Sequence, residues 1–357
     1  MTMKVVLVAG GTGGHIYPAV SLARELIKRG HEVTFIGAND RMEKDVIPSL
    51  GFKFIGLDVK TTRGGITQKV YSVLSMAQSY RRCLKLLKGN CDMLIGFGNY
   101  ISVPVVLAAR HLGIKTVIHE QNSFVGRANR FLDTKVDLVI TSYAESLKQF
   151  KNPQTVVLGN PQSSVAKTIV KNPEVISSMG LDPKRKTVVI FMGSLGSESV
   201  LNVMLDYFKM LKDFDYQIIY ATGVKHFDKA KDYANDQIKI FDKINGAEVM
   251  ANADLLVSRA GATTLAEITA LGTPSILIPS PYVPNNHQFF NAKTLVDNVA
   301  ALMIEEKDLD AKHLKTTIEA LLSDDDRRAN LSKNARAMAV DNAIEDIIGK
   351  VEELWKQ

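Results

Sequence analysis

The chain has 357 residues, of which 46% are hydrophobic and 23% charged, which is the composition of a folded globular protein and excludes a disordered or fibrous one. At this length we expect two domains, and no apolar stretch approaches the roughly 20 residues that span a bilayer. We also expect no secretory signal, a cytoplasmic location, and, with Cys83 and Cys91 as the only cysteines, neither a disulfide framework nor a zinc site.

The formal net charge of +6 is unevenly distributed along the chain. Residues 1–160 contain 21 Lys and Arg against 11 Asp and Glu, a balance of +10, whereas the remainder has 23 against 27, a balance of −4. A basic half indicates an anionic partner, which could be a membrane surface, a nucleic acid or a phosphorylated substrate. Charge alone does not choose among these.

Short β-branched runs alternate with helical patterns through the first half, which is typical of a parallel sheet covered by helices. Strands are predicted, in chain order, at 4–9, 32–37, 52–56, 93–96, 116–119 and 138–142. A breaker-rich stretch with Pro153, Pro161, Pro173 and Pro183 then predicts a linker near residues 160–185. Beyond it, strands are predicted at 188–192, 217–221, 255–258 and 275–279.

These patterns predict two α/β domains, each a doubly wound Rossmann-like sheet, facing each other across a cleft. We expect the domains to span residues 1–160 and 161–342, and the amphipathic segment 343–357 to form a helix that packs back on the first domain. Ligands of such sheets bind outside the carboxyl ends of the strands, so the functional motifs are sought there.

The strongest motif is the run Gly10-Gly11-Thr12-Gly13-Gly14-His15, which follows a predicted strand and precedes a helix. Glycines let backbone approach a ligand and helix-start amides favour anions, so the run has the form of a diphosphate or sugar cradle. It does not match a dinucleotide fingerprint, because Ile16 stands where a third glycine is needed, and no Gly-Lys-Ser/Thr follows as in a P-loop. A tight turn without a ligand is the alternative.

Three more polar loops follow predicted strands. They are Gly96 to Tyr100, the run His119-Glu120-Gln121-Asn122, and Met192 to Ser197, in which Ser194 could donate to a phosphate oxygen. The alternatives are, in turn, a plain β-to-α connection, a solvated loop and a capping serine.

The predicted second domain has a further helix start, Ser258 to Glu267. Thr263 and Thr264 could meet a phosphate there, and Glu267, one turn later, could accept from a ribose diol; a capping-box-like start is the alternative. Gln288, after the next strand, suits sugar hydroxyls. The acidic residues do not favour a metal site, and no Gly-x-Ser-x-Gly elbow of a serine hydrolase occurs.

With these motifs assembled, the chain strongly resembles the MurG family, which belongs to glycosyltransferase family 28 and has the GT-B fold. The resemblance covers essentially the whole chain. Its most specific elements are Gly10 to His15 with Pro18, His119 to Asn122 with Gly126 and Asn129, Gly159-Asn160-Pro161, and Ser258 to Glu267 with Gln288 and Asn291.

The resemblance implies inverting transfer of N-acetylglucosamine from UDP-GlcNAc to the C4 hydroxyl of the muramoyl sugar of undecaprenyl-linked lipid I, forming lipid II for peptidoglycan synthesis. The first domain would hold the lipid acceptor and the second the UDP-sugar, with no cofactor and no required metal. The residues implied to bind substrate are Thr12, Gly13, Gly14 and Asn122 at the donor sugar and diphosphate, Ser194 at a phosphate, Ile244 at uracil, Glu267 at the ribose and Gln288 at the sugar hydroxyls.

Three positions depart from the usual family pattern. Leu195 replaces the glutamine of a Gly-Gly-Ser-Gln-Gly loop, Asn99 replaces the second glycine of Gly-Gly-Tyr, and Ser163 replaces an arginine that commonly follows Asn-Pro. Donor contacts that other members make through these positions are not expected here.

For the mechanism, we hypothesise that His15 is the general base, because an imidazole titrates near working pH and this one stands on the glycine turn. His119 and Glu120 are the next candidates, and a His15 that only positions the loop or substrate is the alternative. Helix-start amides with Ser194 or Thr263, rather than a cation, would assist departure of UDP.

The lipid acceptor requires a membrane-facing surface, and the stretch 69–88 combines apolar and basic residues suited to an anionic membrane. A sheet-covering helix with a basic outer face is the alternative. The expected location is peripheral, on the cytoplasmic face of the bacterial cell membrane, with other cell-wall enzymes as further partners and no nucleic acid. Two other functions remain open at this point, a UDP-GlcNAc 2-epimerase and a non-catalytic nucleotide sensor.

Overall fold

Parallel strands alternate with helices throughout the computed structural model, which describes residues 2–59, 66–193 and 196–357, with only the backbone of 66–70. Two compact units divide the chain. Unit 1 comprises Met1–Ser164 together with Asn342–Gln357, and unit 2 comprises Val165–Asp341. In the described residues, no helix is both long enough and apolar enough to cross a membrane.

Unit 1 is built on a seven-stranded sheet in the part of the chain that is described, and every strand pair in it is parallel. Its strands are β1 (Lys4–Val8), β2 (Glu32–Ala38), β3 (Lys53–Leu57), β4 (Met93–Gly96), β5 (Lys115–Glu120), β6 (Leu138–Thr141) and β7 (Thr155–Val157). They lie in the order β3-β2-β1-β4-β5-β6-β7. The register places Val5 beside Val33 on one side and Met93 on the other.

Helices cover both faces of this sheet. They are α1 (Gly13–Lys28), α2 (Glu43–Ser49), α3 (Ile66–Leu87), α4 (Ser102–His111), α5 (Arg127–Leu132), α6 (Ala144–Leu147), α7 (Pro161–Ala166), which crosses the unit boundary, and a 3-10 turn at Asp133–Lys135. The apolar residues of α1 recur every three or four positions, and Ile16, Leu22 and Leu26 are fully buried against the sheet, as expected of an amphipathic helix.

The last helix of the chain, α16 (Ala343–Trp355), completes the core of unit 1. Ile344, Ile347, Ile348 and Val351 are all buried in the same apolar cluster as Leu22 of α1. Burying an isoleucine side chain stabilises a fold by roughly 1.5–3 kcal/mol, so these four contacts hold the C-terminal segment to the sheet.

Unit 2 repeats the plan with a six-stranded parallel sheet among its described residues. The strands are β8 (Thr187–Phe191), β9 (Gln217–Ala221), β10 (Ile238–Phe241), β11 (Leu255–Ser258), β12 (Ser275–Leu277) and β13 (Leu302–Met303), in the order β10-β9-β8-β11-β12-β13. The helices are α8 (Pro173–Ser178), α9 (Glu198–Met210), α10 (Phe227–Ala230), α11 (Gly246–Ala251), α12 (Ala262–Leu271), α13 (His287–Asp297), α14 (Ala311–Leu322) and α15 (Asp325–Ala337), with 3-10 turns at Lys231–Tyr233, Pro284–Asn286 and Glu306–Asp308.

Each sheet reverses its strand order once, between β1 and β4 in unit 1 and between β8 and β11 in unit 2. Doubly wound sheets bind ligands outside the carboxyl ends of the strands at this reversal. The glycine loops after β1 and β8, and the loops after β4 and β11, therefore stand where a ligand is expected. The prediction of two parallel-sheet α/β domains is confirmed; three short strands, β7, β10 and β13, were missed.

Candidate active site

A buried carboxylate anchors the glycine loop between β1 and α1. Glu43, at the start of α2, is 1% exposed. One of its oxygens accepts the backbone N–H of Gly11 at 2.9 Å and the other accepts that of Ala38 at 3.0 Å. Gly11 has a φ of +85°, which favours glycine, and a Cβ on Gly10 would collide with the carboxylate. The loop is thus fixed just ahead of the first turn of α1.

The loop after β4 braces the same glycines from the other side. Asn99 has a φ of 67°, in the left-handed region that asparagine tolerates better than most residues. Its side-chain Nδ2 donates to the carbonyl of Gly10 at 2.8 Å. A glycine at this position could adopt the conformation but could not make the bond. Asn99 thus preserves the turn and adds a link between two loops at the strand reversal.

Two histidines, His15 in the first turn of α1 and His119 near the end of β5, are joined through one glutamine. The Nδ1 of His15 lies 2.9 Å from Oε1 of Gln121. The Nε2 of Gln121 lies 2.9 Å from Nδ1 of His119 and 3.0 Å from the His119 carbonyl. The Nε2 of His119 lies 2.9 Å from the carbonyl of Gly159. The structure therefore brings His15 and His119, both predicted site residues, into one hydrogen-bonded chain.

The two histidines differ in their environments. His119 is 1% exposed and stacks on Phe97, with ring centroids 5.3 Å apart. Burial lowers the pKa of His119 to about 4, although its hydrogen bond to Gly159 opposes the shift, so its imidazole is neutral at physiological pH. His15 is only half-buried. Of the two, His15 has the more accessible ring.

Glu120 is fully engaged in holding the loop that follows it. Its Oε1 accepts from the backbone N–H and the side-chain Nδ2 of Asn122, at 3.1 and 3.0 Å. Its Oε2 accepts from the backbone N–H of Gly126 at 2.9 Å and from Nδ2 of Asn129 at 3.0 Å. These four donors occupy both oxygens of the carboxylate and leave it little capacity to accept a substrate proton. Asn122, a predicted binding residue, is oriented by this carboxylate.

In unit 2 the loop after β8 is braced by a buried arginine. Ser194 and Leu195 lie outside the described residues, but Gly196 has a φ of +70° and a Cβ there would collide with the carbonyl of Thr222. Arg259, at the carboxyl end of β11, donates to the hydroxyls of Ser197 and Ser199 at 2.5 and 3.2 Å. These serines form the start of α9, so Arg259 ties the two loops at the strand reversal together.

The charge of Arg259 is balanced within the same unit. Its Nη2 lies 2.6 Å from Oε2 of Glu306, and both side chains are largely buried. Its Nη1 donates to the carbonyl of Ile278 at 3.1 Å. No sequence pattern marks this pair, because the two residues are distant in the chain and belong to different loops.

The other predicted residues of unit 2 follow strands at the same edge of its sheet. Thr263 and Thr264 stand in the first turn of α12 and Glu267 in its second, and Ile244 precedes α11, half-buried beside the core. Gln288, in the first turn of α13, accepts the backbone N–H of Ser280 at 2.9 Å. Parallel strands place these loops on one edge.

The described residues indicate neither a metal centre nor a reactive cysteine. Within 2–59, 66–193 and 196–357, no group of three or more His, Cys, Asp or Glu side chains is placed to hold a metal ion. Burial raises the pKa of both the Cys83 and the Cys91 thiol to about 12, so neither is a thiolate nucleophile at neutral pH.

Comparison with known proteins decides the family. Residues 5–141 match the glycosyltransferase family 28 N-terminal domain and residues 187–347 match the glycosyltransferase family 28 C-terminal domain. The chain belongs to glycosyltransferase family 28.

Relatives match along nearly their whole length. Proteins from Pediococcus pentosaceus and Bacillus cytotoxicus, both named UDP-N-acetylglucosamine--N-acetylmuramyl-(pentapeptide) pyrophosphoryl-undecaprenol N-acetylglucosamine transferase, are 38% and 37% identical. The first alignment covers 97% of this chain and 98% of the relative, and the second covers 99% and 100%. Within family 28 the chain therefore belongs to the MurG family and is a UDP-sugar-dependent glycosyltransferase, and the resemblance inferred from the motifs is confirmed.

Solved structures show the same fold. Acinetobacter baumannii MurG superposes with a TM-score of 0.78 at 24% identity, covering 98% of this chain and 99% of that one. A putative UDP-N-acetylglucosamine 2-epimerase from Listeria monocytogenes superposes with a TM-score of 0.71 at 13% identity, covering 99% and 96%. At these identities the likeness shows the fold alone, so the epimerase neighbour gives that alternative no further support.

Proposed function

We propose that the chain transfers N-acetylglucosamine from UDP-GlcNAc to the C4 hydroxyl of the muramoyl sugar in undecaprenyl-pyrophosphoryl-MurNAc-pentapeptide, lipid I, and so forms lipid II. The observation that carries the proposal is the identity of 37–38% to transferases of that name over 98–100% of their length. The glycine loop and His15, which follow β1 at the strand reversal of unit 1, support the proposal because they offer a candidate base beside backbone that a sugar can approach.

In the proposed reaction the acceptor oxygen attacks the anomeric carbon of the donor sugar. The new bond joins the acceptor oxygen to that carbon, the bond from the carbon to the β-phosphate oxygen breaks, and its electron pair leaves with UDP. His15 takes the proton of the attacking hydroxyl. We assign this role to His15 rather than to His119, which is buried, or to Glu120, whose oxygens already accept four hydrogen bonds.

We assign the UDP moiety to unit 2. The first-turn amides of α12, with the hydroxyls of Thr263 and Thr264, would stabilise the diphosphate, and Ser194 keeps its proposed phosphate contact. Glu267 would accept from the ribose, Ile244 would face uracil, and Gln288 would bind sugar hydroxyls. The described members of this set, Ile244, Thr263, Thr264, Glu267 and Gln288, follow strands at the carboxyl edge of one sheet, which supports a shared ligand.

In unit 1 we propose that Thr12, Gly13, Gly14 and Asn122 contact the sugars. The carboxylate of Glu43 lies against the glycine loop and accepts the N–H of Gly11. A second anion in contact with Gly11 would be repelled by this carboxylate, although the charge of Arg41 acts on the same group, so sugar hydroxyls suit this part of the loop better than phosphates. We therefore assign sugar hydroxyls to this loop, and not the diphosphate contact that the resemblance also implies for it.

We further propose that unit 1 binds the cytoplasmic face of an anionic membrane peripherally, through α3. Tyr71, Val73 and Leu74 are 60–64% exposed in its first half. Four exposed cations follow in and just after its second half: Arg81, Arg82, Lys85 and Lys88. Exposed apolar groups beside cations favour adsorption to anionic lipid. The opposite face, with Ser72, Ser79 and Cys83 buried, packs in the unit.

The α3 surface is tested by flotation with vesicles. We expect binding to vesicles containing anionic lipid to exceed binding to neutral ones, and the double variant Val73→Ser, Leu74→Ser to weaken both. A matched control is Val224→Ser, which changes an exposed valine in unit 2. Equal binding to neutral and anionic vesicles would contradict the electrostatic part. Association with other cell-wall enzymes stays a prediction.

The reaction is tested with labelled UDP-GlcNAc and a lipid I analogue. We expect a labelled disaccharide product that forms only when the acceptor is present. Release of the manno isomer without acceptor would indicate an epimerase, and tight UDP binding without turnover would indicate a sensor. His15→Ala should lower kcat by about 10²–10⁴-fold at saturating acceptor, the usual contribution of a general base. Near-normal turnover would remove His15 from that role.

A further inference from the structure

The hydrogen-bonded chain from Gly159 to His15 has a fixed direction. A carbonyl oxygen can only accept hydrogen bonds. Two carbonyl oxygens, those of Gly159 and His119, take part in this series of hydrogen bonds. These two acceptors decide which atoms along the chain carry hydrogen. The assignment therefore does not depend on how the glutamine amide or the imidazole rings are oriented by convention.

The first step concerns His119. Its Nε2 lies 2.9 Å from the Gly159 carbonyl, so Nε2 must carry the hydrogen. Because the buried ring is neutral, its other nitrogen, Nδ1, holds a lone pair. His119 is thus an acceptor on the side that faces Gln121.

The second step orients Gln121. One end of its amide lies 2.9 Å from that lone pair and 3.0 Å from the His119 carbonyl. Both neighbours are acceptors, so this end is the NH₂ group, and both of its hydrogens are used. The carbonyl end, Oε1, then points to Nδ1 of His15 at 2.9 Å. His15 must donate there, and its neutral ring keeps the lone pair on Nε2.

We propose that Gln121 is a positioning residue that locks His15 in the tautomer with hydrogen on Nδ1, so that Nε2 is the basic atom presented to the acceptor hydroxyl. This rests on the proposed role of His15 as the base. When Nε2 takes the proton, Nδ1 still donates to Gln121, so no hydrogen bond in the chain has to reverse. Gly98 lies beside the ring, where an added Cβ would be in ordinary van der Waals contact, 3.4–3.5 Å from Cε1 and Nδ1 of His15.

The tautomers are measured directly by NMR on protein labelled with ¹⁵N-histidine. His15 is assigned by comparison with the His15→Gln variant and His119 with His119→Asn. In the wild-type protein we expect neutral His15 to carry hydrogen on Nδ1 and His119 to carry it on Nε2. If His15 of the wild-type protein carries hydrogen on Nε2, or is a mixture of both tautomers, the proposal is wrong. This outcome is decided on the wild-type protein alone, before any Gln121 variant is made.

Two variants of Gln121 test its function. Gln121→Leu removes both ends of the link, and we expect His15 to lose its single tautomer and kcat to fall about 10²-fold at an unchanged KM for UDP-GlcNAc. Gln121→Glu still accepts from Nδ1 of His15, although its second oxygen faces the two acceptors of His119 and should lower stability. We expect it to keep the His15 tautomer and more of kcat than Gln121→Leu. If Gln121→Leu keeps both the tautomer and kcat within twofold, the proposal is wrong.

Gln149→Leu is the matched control. Gln149 also braces the loop after β5, accepting from Val125 N–H at 3.1 Å and donating to the Ser123 carbonyl at 2.8 Å. It takes no part in the chain of imidazoles, so the His15 tautomer should not change. If the His15 tautomer changes in Gln149→Leu as much as in Gln121→Leu, loop disorder explains both changes. The specific positioning role of Gln121 would then be refuted.

The experiment separates this proposal from the proposed function. The tautomers are read without turnover. If wild-type protein yields no lipid II analogue yet His15 carries hydrogen on Nδ1, the transferase assignment fails and the positioning by Gln121 stands. If the product forms and His15 carries hydrogen on Nε2, only the positioning fails.

Discussion

The neutral, buried His119 should make the stability of unit 1 fall with pH in a defined window. Burial lowers the pKa of His119 from 6.5 to about 4. Below pH 6.5 the unfolded chain takes up a proton at this side chain that the folded chain does not, so acid favours unfolding. Above pH 6.5 this proton uptake does not lower the free energy of unfolding. As the pH falls from 6.5 toward 4, the free energy of unfolding decreases progressively.

The magnitude follows from the two pKa values. Relative to neutral pH, the proton taken up by the unfolded chain removes about 2 kcal/mol of unfolding free energy at about pH 5, and about 3 kcal/mol at about pH 4. Replacing the histidine with asparagine removes this term altogether. The difference in stability between wild type and His119→Asn should therefore shrink by these amounts as the pH is lowered.

Trp355 provides the assay, because it is the only tryptophan of the chain and lies on α16, packed against the core of unit 1. Urea unfolding followed by its fluorescence at several pH values reports on the unit that contains His119. Gln149→Leu is the control, since it removes hydrogen bonds in the same loop but no titratable group, and it should keep the wild-type pH slope. Equal slopes for wild type and His119→Asn would refute the neutral, buried histidine.

Three contacts predict losses of stability that unfolding experiments can measure. Glu43→Gln leaves one of two buried N–H groups without an acceptor and should cost about 1–3 kcal/mol in the Trp355 transition. Ile348→Ala, on the buried face of α16, should cost about 2–5 kcal/mol in the same transition. Arg259→Met leaves Glu306 without its ion-pair partner and should cost about 3–5 kcal/mol in the circular-dichroism transition of unit 2. A change below about 0.5 kcal/mol, typical of a surface substitution, would contradict the contact concerned.

Sequence patterns were sufficient for the architecture because the signals involved are local. Buried parallel strands are continuous β-branched runs, and the polar runs after them must lie at one sheet edge. Those two facts place Gly10 to His15 and His119 to Asn122 near each other, and the structure joins His15 to His119 through Gln121. The missed strands β7, β10 and β13 contain three, four and two residues, too few to show a period.

The supporting contacts could not be predicted, because they depend on side-chain geometry across long separations. Glu43 reaches Gly11 from 32 positions away, and Arg259 meets Glu306 from another loop. A buried glutamate at a helix start resembles any first-turn acidic residue in the sequence. Likewise, the run His119 to Asn122 predicts a polar cluster, but only distances assign Glu120 to holding the loop and Gln121 to the two imidazoles.

The two strand reversals have the same topology but differ in the charged residue that anchors the glycine loop, and this difference supports our proposal that unit 2 holds the diphosphate. In unit 1 the loop after β1 is anchored by Glu43, whose carboxylate accepts from the backbone N–H groups of Gly11 and Ala38 and also interacts with the charge of Arg41. In unit 2 the loop after β8 is anchored by Arg259, which with Glu306 forms a neutral pair. A diphosphate approaching Glu43 meets a like charge, whereas one approaching α12 meets helix-start amides. We therefore propose that the anion is bound in unit 2 and the neutral sugar hydroxyls at the glycine loop beside His15.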